Sequence, residues 1–82
     1  MSVTAEDVLH RLHEFLAGQG LPPQSLAPET RLYADGLGLD SFAAAELSVH
    51  LERHLGRDPY ATGPWPRTVG DILAFFSREA RS

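Results

Sequence analysis

The 82-residue chain contains no cysteine and no lysine, and only one methionine and one tryptophan. Without cysteine it can form no disulfide, no thiolate metal site and no thioester on its own side chains, so any thiol chemistry has to be imported. All seven cations are arginine, against 11 acidic residues, for a formal charge of −4. That charge is uneven: residues 1–50 hold seven acids against Arg11 and Arg31, a balance of −5, while residues 51–82 hold four acids against five arginines, a balance of +1. A protein that grips a phosphate backbone needs clustered cations, so nucleic acid is not an expected partner; the acidic half suits a basic protein surface better. No apolar run is long enough to cross a membrane, and Met1-Ser2-Val3-Thr4 leads into helical pattern without an apolar signal region. The expectation is a cytoplasmic protein without membrane contact.

What is present is a globular composition, 43% hydrophobic and 22% charged, sufficient for one modest core. At this length the expectation is one domain covering residues 1–82. It is too short to build both a core and an enclosing substrate cleft, so an enzyme is not expected.

Apolar periodicity predicts three main helices and no strand. In the first, Ala5, Val8, Leu9, Leu12, Phe15 and Leu16 follow the i, i+3, i+4, i+7 pattern; Thr4 with Asp7 forms a capping box at its start, and Gly18 and Gly20 end it. Residues 20–39 are punctuated by Pro22, Pro23, Pro28, Gly36 and Gly38 and read as a long loop, with a short turn near Pro28-Glu29-Thr30-Arg31. Leu26, Leu32, Tyr33, Leu37 and Leu39 recur along that loop, which is expected to lay them over the helices as part of the core. The second helix is predicted from about Ser41 to Leu55, stopped by Gly56 and Pro59. At about 100° per residue, Ala44, Leu47, Leu51 and Leu55 share one side, while Phe42, Ala45 and Val49 share nearly the opposite one. Both stripes cannot face one core. The three leucines mark the buried side, leaving Phe42, Ala45 and Val49 as an exposed apolar strip rimmed by Glu46, Glu52 and Arg53. Pro59, Gly63, Pro64 and Pro66 allow at most one turn around Tyr60-Ala61-Thr62, with Trp65 expected to anchor this loop to the core. The last helix starts at Thr68, boxed by Asp71, with Val69, Ile72, Leu73 and Phe76 on one face.

The loop and second helix meet at Leu37-Gly38-Leu39-Asp40-Ser41-Phe42. A lone serine at a helix start is most often a cap whose oxygen satisfies a backbone N–H, and Asp40 could fill that role instead. Here the serine follows two glycines and an acid, adjoins an exposed apolar strip, and sits in a small all-helical chain with a long first loop. Gly38-Leu39-Asp40-Ser41 resembles the prosthetic-group attachment motif of acyl carrier proteins, and the order of helices and loops is similar over nearly the whole chain. The resemblance implies an all-α, four-helix carrier bundle: three main helices plus a short third helix or turn. It further implies 4′-phosphopantetheine carried on the Ser41 hydroxyl, transferred from coenzyme A by a magnesium-dependent phosphopantetheinyl transferase. Asp40 precedes it in the motif. The second helix is the family's main recognition element, so Phe42, Ala45, Glu46, Val49 and Arg53 are the expected contacts for loading enzymes, synthases and transferases, with the carrier itself a monomer. The arm supplies the thiol that the sequence lacks and holds acyl groups as thioesters at high local concentration.

Two departures from the family pattern bear on the pathway. Phe42 stands where leucine is common, and the helix is less acidic than in bacterial fatty-acid carriers, with His50, Arg53, His54 and, just past its end, Arg57 where acids are frequent. Both favour a polyketide or other specialised pathway. The alternatives are a peptidyl or aminoacyl carrier, a D-alanyl carrier, and a helical interaction domain without a prosthetic group that uses the Phe42-Ala45-Val49 strip directly. Leu39 and Asp40 speak for the acyl type. His50 and His54 at i, i+4, with Glu46 one turn earlier, have the spacing of metal ligands, but no fourth ligand is visible and a solvated polar face explains them, so no metal is expected. No Ser-His-Asp arrangement is indicated.

Overall fold

The computed structural model describes residues 3–21, 24–61 and 63–81, with side chains to residue 78. Three helices follow in order: α1 (Ala5–Gly18), α2 (Ser41–Leu55) and α3 (Val69–Arg81). There is no strand among the described residues; the only sheet-like pairing there is an isolated antiparallel bridge between Arg31 and Thr68. The chain is therefore all-α, as expected.

The helix ends follow their local chemistry. Thr4 caps α1 in a reciprocal box: its hydroxyl accepts from the Asp7 N–H at 3.2 Å, while the Asp7 carboxylate accepts from the Thr4 N–H at 3.0 Å. At the other end Gly20 N–H donates to Ala17 and Leu21 N–H to Leu16, both at 3.1 Å. This Schellman pattern satisfies carbonyls the helix leaves open. The start of α3 repeats the box, with Asp71 N–H donating to Thr68 Oγ1 at 3.1 Å and the Asp71 carboxylate accepting from Thr68 and Arg67.

One buried cluster joins the elements. Val8, Leu12, Phe15 and Leu16 of α1 meet Ala43, Leu47 and Leu51 of α2 and Val69, Ile72 and Phe76 of α3. Helix α1 packs directly against both others. Leu32 and Leu39 from the long loop are buried in the same cluster, with Leu26, Tyr33 and Leu37 packed half-buried on it. The loop therefore contributes to the core as expected; Pro22 and Pro23, which helped to define it, lie outside the described residues. The predicted turn at Pro28 is closed by Thr30 N–H donating to the Ala27 carbonyl at 3.0 Å. Residues 28–32 are tied to the start of α3 by three backbone bonds, Leu32 N–H to Arg67, Val69 N–H to Thr30 and Gly70 N–H to Pro28.

The region between α2 and α3 is a turn rather than a helix, with Ala61 N–H donating to the Asp58 carbonyl and Tyr60 N–H to the Asp58 carboxylate. Thr62, the end of the predicted turn, lies outside the described residues. The expectation for Trp65 does not hold. It is 49% exposed, and its ring meets Tyr60 edge-on at 5.3 Å on the surface. Pro59 and Pro66 are the buried residues of this loop. Tyr33 fastens it further by donating its hydroxyl to the Pro66 carbonyl at 2.8 Å, beside the Tyr60 hydroxyl at 3.3 Å. Burial first, and the hydrogen bond with Tyr33 second, push the Tyr60 phenol well above its ordinary range.

Candidate functional site

The segment before α2 is folded tightly. Leu37 N–H donates to the Arg31 carbonyl at 2.8 Å, Gly38 N–H to Tyr33 at 2.8 Å and Leu39 N–H to Leu32 at 3.0 Å. This turn brings the backbone so close to itself at Gly36 that a Cβ there would lie 2.0 Å from the Arg31 carbonyl oxygen. Gly38 then takes φ of +83°, a conformation that a residue with a side chain rarely adopts. Leu39 points into the core, and the chain enters α2 at the next residues. Gly36, just before the motif, and Gly38 within it are thus what permit the sharp approach to Ser41.

Asp40 is the N-cap of α2, extended in backbone and accepting from the Ala43 N–H at 2.8 Å. Ser41 is consequently released from capping. It is exposed, and its hydroxyl has no hydrogen-bond partner among the described residues. The backbone N–H groups of Ser41 and Phe42 find no acceptor there either, and the first turn carries no acidic side chain. A phosphodiester on Ser41 would sit at a helix N-terminus whose dipole and free donors favour an anion. These residues fit a phosphate-linked group. Ser48, one face further along α2, does not: it is half-buried and donates its hydroxyl to the Asp58 carboxylate.

The strip beside Ser41 is exposed as expected, with Phe42 72% and Val49 54% accessible and Ala45, Glu46 and Arg53 also on the surface. The opposite stripe is buried: Ala44, Leu47 and Leu51 have no exposed surface, and Leu55 is half-buried. Glu46, Val49 and Arg53 also line a shallow groove of about 280 Å³ against the end of α1, where Gln19 donates to the Glu46 carboxylate at 3.4 Å. Phe42 and Ala45 lie outside that groove, nearer Ser41. Two larger grooves, of about 660 and 640 Å³, flank Trp65, and neither includes Ser41. The exposed Ser41 hydroxyl can be reached by another protein.

The structure also brings together a set that sequence spacing joined incorrectly. His50 and His54 do share a face of α2, but the carboxylate beside them is Glu14 of α1, with His50 Nε2 at 3.2 Å from Glu14 Oε1. Glu46 faces Gln19 instead.

The chain matches the sequence model of the family described as "Phosphopantetheine attachment site" over residues 10–61, and it belongs to that family. Neither a curated protein nor a solved structure matches it. The match contains the long loop and all of α2, Ser41 included. Members of this family are carriers that bear covalently attached 4′-phosphopantetheine.

Proposed function

We propose that this phosphopantetheine carrier bears its arm on Ser41 and works as a discrete acyl carrier protein of a specialised pathway such as polyketide assembly. The observation that carries the reading is the division of labour at the start of α2: Asp40 caps the helix through the Ala43 N–H, and Ser41 is left exposed, its hydroxyl unengaged among the described residues. When bound, the arm supplies a terminal thiol that holds acyl groups as thioesters. In the transfer from coenzyme A, Ser41 Oγ would lose its proton and bond to the pantetheine-bearing phosphorus as the pyrophosphate P–O bond of coenzyme A breaks and adenosine 3′,5′-bisphosphate leaves. The open N–H groups of Ser41 and Phe42 favour the resulting negative charge. Asp40 keeps the helix start ordered while Ser41 reacts, because the cap does not depend on the serine hydroxyl.

The proposed partners are a phosphopantetheinyl transferase and the enzymes that load and process the cargo. They would dock on Phe42, Ala45 and Val49, with Glu46 and Arg53 as a mixed rim, and the carrier would act as a monomer of one domain in the cytoplasm. Among the described residues no helix is long and apolar enough to cross a membrane. The acyl type is favoured over a peptidyl or aminoacyl carrier by Leu39-Asp40 before the serine, and a specialised pathway by Phe42 and by the cations Arg53 and Arg57 on and after α2. The test is incubation with a transferase, coenzyme A and magnesium, followed by intact-mass analysis. Wild type should gain one arm and Ser41→Ala none; a Ser41→Ala protein modified like wild type would remove Ser41 from the reaction.

A further inference from the structure

His50 and His54 lie one turn apart on α2, and Glu14 reaches them from the neighbouring α1. One ligand atom from each of the three falls within 4.8 Å of the other two. The imidazole rings are 4.6 Å apart and inclined by 59°. His50 is the fixed member: its ring packs against Phe15 at 5.8 Å, and its Nε2 is shut off from solvent with no hydrogen bond of acceptable geometry. Glu14 and His54 are exposed and can turn about their own torsions. The arrangement therefore combines a held nitrogen, lacking a satisfactory partner and aimed at a carboxylate, with two adjustable donors.

We propose that Glu14, His50 and His54 form a three-ligand zinc site, completed by water, that clasps α1 to α2.

Two imidazole nitrogens and one carboxylate oxygen are a donor set for zinc and its transition-metal neighbours, whereas magnesium and calcium prefer oxygen throughout. Tetrahedral bonds of about 2.0–2.1 Å place ligand atoms about 3.3 Å apart. His50 Nε2 and Glu14 Oε1 already stand at 3.2 Å, so His54 makes the main adjustment. The competing interaction is also visible: Arg11 Nη1 donates to Glu14 Oε1 at 3.0 Å, and its charge opposes a cation. With Arg11 so near, zinc should bind more weakly than at a closed four-ligand structural site.

The site is about 14 Å along the α2 axis from Ser41, from nine residues at 1.5 Å each. It does not depend on the prosthetic group, and a failure here would leave the carrier reading intact.

The test uses the full, tag-free chain, titrated calorimetrically with zinc and separately with magnesium. His54→Ala, Glu14→Gln and His13→Ala are compared after circular dichroism has confirmed their helices. Imidazole nitrogen shifts are followed by NMR on wild type. One equivalent of zinc should bind, magnesium should not compete, and the shifts should move at His50 and His54. His54→Ala and Glu14→Gln should each weaken binding by at least about tenfold, the scale on which even outer-shell losses weaken zinc sites, while His13→Ala should bind as wild type. Absence of zinc binding, unchanged affinity in His54→Ala or Glu14→Gln, or weakening by His13→Ala would each overturn the proposal.

Discussion

Replacing Leu47 and replacing Phe42 with alanine should have very different thermal consequences, although both residues are large, apolar and on α2. Leu47 has no exposed surface, whereas Phe42 is 72% exposed. Truncating a buried leucine removes its transfer free energy and leaves a cavity, a cost of about 2–5 kcal/mol. In a chain of this size each kcal/mol shifts Tm by about 4–8 °C, so Leu47→Ala should melt roughly 8–40 °C lower. The upper end approaches the total stability of about 5–15 kcal/mol typical of a domain, so much of the variant could be unfolded at room temperature. Phe42→Ala leaves no cavity of that kind. An exposed substitution usually changes stability by no more than about 0.5 kcal/mol, and alanine's better helix propensity works in its favour. Its Tm should remain within a few degrees of wild type or rise slightly. Thermal denaturation followed by circular dichroism gives the comparison, with Leu51→Ala and Val49→Ala as a second pair. A larger loss in Phe42→Ala than in Leu47→Ala would mean that the faces of α2 are assigned the wrong way round.

Three further outcomes follow from particular contacts. Asp40→Asn should melt near wild type because asparagine caps as well as aspartate, while Asp40→Ala should lose about 0.5–2 kcal/mol; equal melting of the two would contradict the cap seen at the Ala43 N–H. The backbone and then the side-chain hydrogen bonds with Thr4 hold the Asp7 carboxyl below its ordinary value of 3.8, so its contribution is present above that pH and lost as the pH falls through the lower folded value. Asp7→Asn should therefore differ from wild type in Tm at pH 7 more than at pH 2, and a difference that grows with acid would contradict this sign. In kinetics of the holo protein with its loading enzyme at two ionic strengths, Glu46→Arg should slow association and reduce its salt dependence, while Val49→Asp should mainly speed dissociation; wild-type behaviour in both would move docking away from α2.

The helices were legible because their signals are local. Capping residues and 3.6-residue periodicity specified all three, and the two stripes of α2 separated by angle alone. The path of the long loop was less legible. Its apolar residues announced that it would be buried, but the approach of Gly36 to the Arg31 carbonyl and the pairing of residues 28–32 with the start of α3 depend on tertiary positions that no short pattern records. Trp65 shows the same limit: its size suggested an anchor, yet Pro59 and Pro66 fill that part of the interior and leave the indole on the surface. At Ser41 the motif and exposure were readable, and Asp40 was recognisable as a possible cap. The Glu14 carboxylate was missed beside His50 because only the packing of α1 on α2 brings together residues 36 positions apart.

The most direct measurement is site localisation of the arm by tandem mass spectrometry on protein modified in the presence of coenzyme A. Cleavage after Arg31 and Arg53 yields the fragment 32–53, which contains two serines, Ser41 and Ser48. Exposed Ser41 should carry the whole modification, and Ser48, engaged with Asp58, should carry none. An arm on Ser48, or on any fragment other than 32–53, would contradict the account.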